Sequence, residues 1–299
     1  MQNYKTTIEV PHSSNGLWNR IRIILFVSKH GKNPIHITGD IMYAGILNKS
    51  TILTYHDLEF INRATGFKKK LLTWFWVILP IKRAKAVTAI SQSTLDELKK
   101  RVNFDDKIVR LIPNPLTLAD SIPIELDFPY SNQQYVLHIG TKVNKNLKRT
   151  AIACHQFGIQ IIIVGKLAVE QQKFLDSKRI DYHNLSNISD GELVYLYQNA
   201  VLLSFCSTEE GFGLPIIEAQ YQGCPVLSSN CSSMPEVGGD AAHYVDPYNT
   251  NEICDGIMKI MEDTSFRNQL IKKGFENVKR FDPKVIANQY KALYEEILP

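Results

Sequence analysis

Two carboxylates spaced eight residues apart around a glycine-rich turn carry the strongest chemical signal in this sequence. Residues 208–218 read TEEGFGLPIIE, so Glu210 precedes and Glu218 follows a predicted helix start. Gly213 is suited to cap that helix, and Pro215 fits its first turn, where a missing N–H costs nothing. Carboxylates accept hydrogen bonds from vicinal hydroxyls, and a helix start attracts anions. The pattern therefore predicts a site for a charged, hydroxyl-rich ligand.

The composition is that of a globular α/β protein large enough for two domains. The chain has 299 residues, of which 44% are hydrophobic. Its five cysteines show neither Cys-x-x-Cys pairing nor metal-ligand spacing with histidine, so reduced thiols in the cytoplasm are expected. No apolar segment follows a basic start, so no secretory signal is predicted.

Charge is distributed unevenly along the chain. Residues 1–115 contain 18 Lys and Arg against 8 Asp and Glu, whereas the remainder contains 16 against 22. A basic half indicates an anionic partner on that side. Nucleic acid is not expected, because basic and aromatic residues do not interleave on a recognisable platform.

One segment of the basic half combines cations with a long apolar run. Lysines at 68–70 precede an apolar run at 71–81, and basic residues return at 82–85. About 11 apolar residues are too few to span a bilayer, which needs about 20. Two structures fit equally well: a helix lying in an anionic membrane interface at the inner face of the membrane, or a buried helix with snorkelling lysines.

Alternating strand and helix patterns predict an α/β fold with two Rossmann-like domains, each built on a parallel sheet. Residues 1–115 form the predicted N-terminal domain, and the proline-containing segment 116–130 forms a linker. Residues 131–282 form the predicted C-terminal Rossmann-like domain. Residues 283–299 are predicted to form a helix that crosses back to the N-terminal domain.

Three candidate functional residues each follow a predicted strand. His56 follows the strand 51–55, Lys145 follows the strand ending at Ile139, and Glu210 follows the strand ending near Ser204. Ligands of open α/β sheets bind beyond the carboxyl ends of the strands. The three side chains are therefore expected to meet at a cleft between two sheets.

In these features the chain resembles the retaining family-four glycosyltransferases of GT-B architecture, in which two Rossmann-like domains face one another. The spacing from Glu210 to Glu218 matches the Glu-x7-Glu motif of that family. Further strings that resemble the family, in order along the chain, are 36–40 (HITGD), 55–57 (YHD), 90–94 (ISQST), 112–115 (IPNP), 139–147 (IGTKVNKNL) and 232–241 (SSMPEVGGDA). The likeness is greatest to bacterial enzymes of surface-polysaccharide assembly.

The resemblance implies transfer of a sugar from a nucleotide diphosphate donor to a glycan or lipid-linked acceptor hydroxyl, with retention of the anomeric configuration. Glu218 would hold the ribose, Glu210 the donor sugar and Lys145 the departing diphosphate, without a metal ion or other cofactor. His56 would polarise the donor or orient the acceptor from the other domain. The remaining implied donor contacts are the backbone N–H groups of Gly211, Phe212, Gly213 and Leu214, the turn residues Gly140, Thr141 and Lys142, and the base contacts His183 and Leu185. The last two are expected to follow a strand, where the family places the base.

The chain departs from the family pattern at two places. Thr141 and Asn144 stand where the family usually offers an arginine, with Lys142 as a substitute cation. The usual first strand, glycine-bearing loop and first helix of the N-terminal domain are not recognisable, so a truncated N-terminal domain is expected. This departure supports an alternative function, that of a catalytically weak nucleotide-sugar-binding partner of another transferase.

Overall fold

The computed structural model describes residues 9–10, 15–30, 34–48, 50–104, 108–126 and 134–297. Backbone contacts divide the chain into two units, one comprising Met1–Ile112 with Tyr290–Pro299 and the other Pro113–Gln289. Part of the predicted linker, residues 127–130, lies outside the described residues.

The first unit is built on a four-stranded parallel sheet in the order β1-β2-β3-β4. Its strands are β1 Ile35–Ile37, β2 Thr51–Tyr55, β3 Ala86–Ala89 and β4 Ile108–Leu111. Its helices are α1 Leu17–Lys29, α2 Glu59–Asn62, α3 Gly66–Thr73, α4 Leu79–Arg83 and α5 Gln92–Lys99, with a 3-10 helix at Met42–Leu47 and a π-helical turn at Trp74–Ile78 between α3 and α4. Strand β2 has the same bounds as the predicted strand 51–55.

The apolar run at 71–81 is partly buried and partly exposed, so it matches neither predicted structure throughout. Trp76, Val77 and Ile81 belong to the core of the first unit. Leu71 and Trp74 are exposed. A single helical segment therefore contributes one face to the core and leaves another in solvent.

The second unit is built on a six-stranded parallel sheet in the order β10-β9-β8-β5-β6-β7. Its strands are β5 Tyr135–Ile139, β6 Gln160–Val164, β7 Tyr182–Leu185, β8 Leu202–Phe205, β9 Val226–Ser229 and β10 His243–Val245. Its helices are α6 Leu147–Gln156, α7 Val169–Ser177, α8 Asp190–Asn199, α9 Leu214–Tyr221, α10 Met234–Gly238, α11 Thr250–Glu262 and α12 Thr264–Asn277, with 3-10 helices at Val143–Lys145, Gly239–Ala241 and Val278–Phe281. Helix α13, Pro283–Ile297, begins in this unit, and from Tyr290 it belongs to the first.

The core of the second unit lies beneath the central strands. Buried Val136, Ile161 and Leu202 face α6 and α11, which contribute Ala151 and Ile257. Among the described residues, no helix is both long and apolar enough to cross a membrane.

Two histidines, the half-buried His36 in the first unit and the fully buried His138 in the second, make stability depend on pH. Burial lowers the pKa of His36 to about 4, with a smaller contribution from His56. Burial and, secondarily, Lys145 lower the pKa of His138 to about 4. Between pH 6.5 and 4 the unfolded chain binds protons that the folded chain does not, so stability falls as the pH falls through that window.

We expect each histidine to cost up to about 3 kcal/mol of unfolding free energy at the acid end of this window. Urea unfolding at pH 7 and at pH 4.5 measures the loss, and His36→Gln with His138→Gln should reduce it. The exposed His155→Gln serves as the control. An equal loss in the double variant and the control would show that other groups cause it.

Candidate functional site

The loop between β8 and α9 carries the glycine-rich motif, and its backbone conformation explains the glycine. Gly213 caps α9 in the left-handed region, at φ 107° and ψ 51°, which favours glycine. Pro215 lies in the first turn of the helix. The predicted helix start is therefore confirmed, and the N–H groups of a helix's first turn have no partner within the helix itself.

Lys145 and Glu210 form an ion pair at the carboxyl ends of two neighbouring strands. Lys145 Nζ lies 2.7 Å from Glu210 Oε1, and both side chains are largely buried. Asn144 Nδ2 donates to the Glu209 carbonyl at 2.9 Å and approaches Glu210 Oε1 at 3.3 Å. The Lys145 ammonium also lies 4.5 Å from the centre of the Phe205 ring. The structure thus brings together two residues that are 65 positions apart in sequence.

The position of Lys145 depends on the turn that follows β5. Gly140 has φ +94°, and a Cβ there would lie 2.9 Å from Lys145 Cγ, so glycine leaves room for the lysine stem. Asn146 is left-handed at φ 61°. Its Nδ2 donates to the carbonyls of Cys206, at 3.0 Å, and Pro247, at 2.7 Å. These bonds tie the lysine-bearing turn to the loops after β8 and β10.

Ser233, which sequence reasoning leaves outside the binding set, holds the glutamate-bearing loop in place. Its buried Oγ lies 2.7 Å from the Phe212 carbonyl and 3.1 Å from the Glu210 carbonyl. The Phe212 ring packs edge-on against Phe281 at 5.6 Å. Phe212 therefore presents only its backbone to the loop surface.

Glu218 lies within α9 and is only 8% exposed. Thr117 Oγ1 donates to Glu218 Oε1 at 3.0 Å, and the Tyr197 hydroxyl donates to Oε2 at 2.9 Å. Burial raises the pKa of Glu218, against these two hydrogen bonds. Each carboxylate oxygen has two lone pairs, so one on each remains for a ligand hydroxyl.

The other predicted donor contacts lie in two places, the turn after the central strand β5 and the edge strand β7. Thr141 Oγ1 donates to the Lys166 carbonyl at 2.7 Å, and the Lys142 side chain is exposed. His183 and Leu185 were expected to follow a strand, but they lie within β7, the edge strand of the sheet. That expectation was wrong because β7 has no apolar alternation: its sequence is YHNL, and none of its four residues is fully buried.

His56 belongs to the first unit, where it follows β2. Its Nε2 lies 2.6 Å from the Thr38 carbonyl, which requires the ring proton on Nε2, and Thr94 Oγ1 donates to its carbonyl at 3.2 Å. Ser91 caps α5, because its hydroxyl accepts from the Thr94 N–H. A small pocket beside His56 is lined by Asp40, Met42, Tyr55, Asp57, Leu58, Phe60 and Trp76.

No group of three or more His, Cys, Asp or Glu side chains among the described residues is arranged to hold a metal ion. The largely buried charged side chains of the site in the second unit are Lys145, Glu210 and Glu218. One cation and two carboxylates suit a ligand that carries both an anionic group and hydroxyls.

Comparison with protein families identifies the chain. The model for glycosyl transferases group 1 matches residues 129–277, and the model for glycosyltransferase family 4 matches residues 9–120. Together the two matched regions contain the Glu-x7-Glu motif, Lys145 and His56. The chain belongs to the family-four glycosyltransferases of GT-B fold.

Two curated relatives act in O-antigen assembly, according to their names. The chain is 27% identical over 251 residues to O-antigen chain mannosyltransferase B of Escherichia coli, covering 77% of this chain and 66% of the relative. It is 26% identical over 247 residues to the O-antigen chain mannosyltransferase RfbU of Salmonella typhimurium, covering 78% and 68%. The matched regions thus span about two thirds of the relatives' length.

Solved structures share the fold. A sucrose-phosphate synthase from Thermosynechococcus elongatus matches with a TM-score of 0.78 at 20% identity, covering 97% of this chain and 82% of the other. HepE of Anabaena, in complex with UDP and glucose, matches with a TM-score of 0.75 at 16% identity, covering 96% and 84%. Both agree with an architecture of two Rossmann-like domains with parallel sheets.

Proposed function

We propose that this protein transfers a sugar from a nucleotide diphosphate sugar to a hydroxyl of a glycan or lipid-linked acceptor, with retention of the anomeric configuration. The observation that carries the proposal is the ion pair between Lys145 and Glu210 at the start of α9. It places one cation and one carboxylate together, beside a helix start. These are the groups needed for a diphosphate and for a sugar hydroxyl.

Lys145 holds the diphosphate in this proposal. The leaving group gains negative charge as the bond to the sugar breaks, and a fixed ammonium stabilises that charge without reorganisation. An ammonium has three donors, so Lys145 can keep its bond to Glu210 while it binds a phosphate oxygen. Lys142, which is exposed on the same turn, is the second cation available to the diphosphate.

The two glutamates bind different parts of the donor. Glu210 accepts from hydroxyls of the sugar, and Glu218 accepts from the ribose hydroxyls with the lone pairs that Thr117 and Tyr197 leave. Backbone N–H groups at Gly211, Phe212, Gly213 and Leu214 add donors for the sugar and diphosphate oxygens. His183 and Leu185, on β7, are the candidates for contact with the base.

His56 orients the acceptor or polarises the donor. Its Nε2–H is engaged by the Thr38 carbonyl, so Nδ1 is the nitrogen that can accept a hydrogen bond. In a front-side retaining reaction the departing phosphate oxygen takes the acceptor proton, and His56 then needs only to position the hydroxyl. This reaction uses no metal ion.

The sugar is inferred from the relatives. Both O-antigen relatives are named as mannosyltransferases, so mannose is the sugar that we propose. A glycan of the surface-polysaccharide class is the corresponding acceptor. HepE, whose structure contains UDP, is only 16% identical to this chain and does not indicate its nucleotide base. The binding screen below identifies the base.

A thermal-shift screen tests donor binding. We expect one of GDP-mannose, UDP-mannose and ADP-mannose to raise the melting temperature by about 5 to 10 °C at a hundredfold excess over its dissociation constant. Free mannose is the control and should give no shift. The absence of a shift with every nucleotide sugar would contradict the proposal.

Product analysis separates transfer from binding alone. With the bound donor and a lipid-linked acceptor extract, the product should carry the donor's anomeric configuration, which NMR of the new linkage reports. An inverted product would overturn retention. Transfer that appears only after a second protein is added would make this chain the donor-binding partner of another transferase.

A further inference from the structure

The first helix of the first unit exposes an apolar face. Leu17, Trp18, Ile21 and Leu25 of α1 are all exposed, Trp18 to 77%. At 3.6 residues per turn these four positions fall within about 100° of the helix circumference. The opposite side of the helix packs against the core and buries Ile23 and Val27.

Helix α3 and the π-helical turn after it repeat this arrangement. Phe67, Leu71 and Trp74 are spaced four and three residues apart, lie on one side of the helix and are exposed, Phe67 to 80%. The exposed Lys68 and Lys70 flank that stripe on its two sides. No residue of α3 is fully buried, and Leu72 packs against the core while Phe67 and Leu71 do not.

Helix α1 lies beside the π-helical turn that follows α3. The Arg20 guanidinium of α1 lies 4.8 Å from the centre of the Trp76 ring, which is in the turn that follows α3. Both α1 and the π-helical turn also contact the 3-10 helix Met42–Leu47. The stripes of α1 and α3 together are called the two-helix surface below.

Charge decides which partner fits the two-helix surface. Residues 10–39 and 60–95, which contain both helices, include eleven Lys and Arg and no Asp or Glu. On α1, the exposed Arg22 and Lys29 lie beside the apolar stripe. Apolar stripes flanked only by cations are suited to the interface of an anionic bilayer, where the stripe enters the headgroup region and the cations meet lipid phosphates.

We propose that the two-helix surface docks this protein on an anionic membrane. Trp18, Leu25, Phe67 and Trp74 enter the headgroup region, while Arg22, Lys29, Lys68 and Lys70 remain at the phosphate level. A second copy of the chain fits less well, because two such surfaces would bring their cations together without a carboxylate to pair them. This docking needs no residue of the proposed donor site.

Vesicle flotation tests the proposal with the purified full chain. The protein should float with vesicles of phosphatidylglycerol and phosphatidylcholine, and less with phosphatidylcholine alone. Trp18→Ser with Phe67→Ser should lower the partition coefficient at least about tenfold, because both rings lose their burial in the interface. Lys68→Gln with Lys70→Gln should lower binding to the anionic vesicles about tenfold or more and weaken its dependence on salt.

The control exchanges two apolar residues of similar exposure in the second unit, Val169→Ser and Tyr248→Ser, which are 64% and 60% exposed in the wild type. It should float like the wild type. Circular dichroism and thermal-shift binding of the nucleotide sugar check that every variant is folded, independently of lipid. The proposal is wrong if the wild type stays unbound with anionic vesicles, or if the two-helix variants float like the control. It is also wrong if the wild type forms a dimer and does not bind lipid, and if Trp18→Ser with Phe67→Ser dissociates that dimer. The two-helix surface would then be an interface between two copies of the chain.

Discussion

Lys145→Met is expected to lower kcat for sugar transfer by about 100- to 1000-fold, the cost of removing one fixed donor to developing negative charge. Methionine keeps most of the aliphatic stem that lies over Gly140 but has no ammonium for the diphosphate. It also leaves Glu210 without its ion-pair partner beside the anionic donor. Release of the nucleoside diphosphate at saturating donor and acceptor measures the rate.

The matched control for this variant is Lys173→Met, which removes an exposed lysine of α7 in the same unit. It should retain wild-type turnover. If Lys145→Met and Lys173→Met react at the same rate, the charge on the leaving diphosphate is met elsewhere, and the proposed role of Lys145 is wrong.

Glu210→Gln is expected to change two affinities in opposite directions. Its carboxylate neutralises Lys145 and repels a diphosphate, so the amide should bind the free nucleoside diphosphate about fivefold more tightly, as expected for about 1 kcal/mol of like-charge repulsion. Transfer of the sugar should nevertheless fall about 100-fold, because the amide is a weaker acceptor for the sugar hydroxyls than the carboxylate. Calorimetry with the nucleoside diphosphate and a transfer assay give the two values.

The exposed Glu170→Gln in α7 is the control for the loss of one negative charge from this unit. It should leave both quantities unchanged. Weaker binding of the free nucleoside diphosphate to Glu210→Gln would mean that Glu210 supports the diphosphate itself, contrary to the division of roles proposed for Lys145 and Glu210.

Local patterns in the sequence predict the parts of the fold and site that depend on local chemistry. Gly213 and Pro215 identify the start of α9, because a left-handed cap and a first-turn proline each have few alternatives. The strand ends before Lys145 and Glu210 follow from apolar runs that stop at polar residues. Their neighbouring strands, β5 and β8, are hydrogen-bonded in the sheet, so the two side chains come within reach of each other.

Contacts between distant segments cannot be predicted in the same way. Thr117 lies in the predicted linker and Tyr197 in α8, and no spacing rule connects either residue to Glu218. The sequence predicts that Ser233 starts a helix, but it does not predict that the Ser233 hydroxyl donates to the Glu210 carbonyl. Such hydrogen bonds depend on how strands are ordered in the sheet, which one chain of residues does not reveal.

The apolar face of α1 illustrates a further limit. Periodicity shows that a helix has an apolar stripe, but α1 has two, and only packing distinguishes the buried Ile23 and Val27 from the exposed Trp18 and Leu25. The strand β7 lies at the edge of the sheet, where polar residues are tolerated. Its sequence therefore has no apolar alternation that would predict a strand.

Calorimetric titration of GDP and UDP tests the central claim most directly, because binding requires no acceptor. The claim is that the cluster around Lys145 in the second unit binds a nucleotide diphosphate. We expect one of the two nucleotides to bind the wild type and Lys173→Met with equal affinity, and to bind Lys145→Met at least about tenfold more weakly, as loss of a charged hydrogen bond requires. Equal affinity for all three proteins, or binding of neither nucleotide to the wild type, would contradict the account.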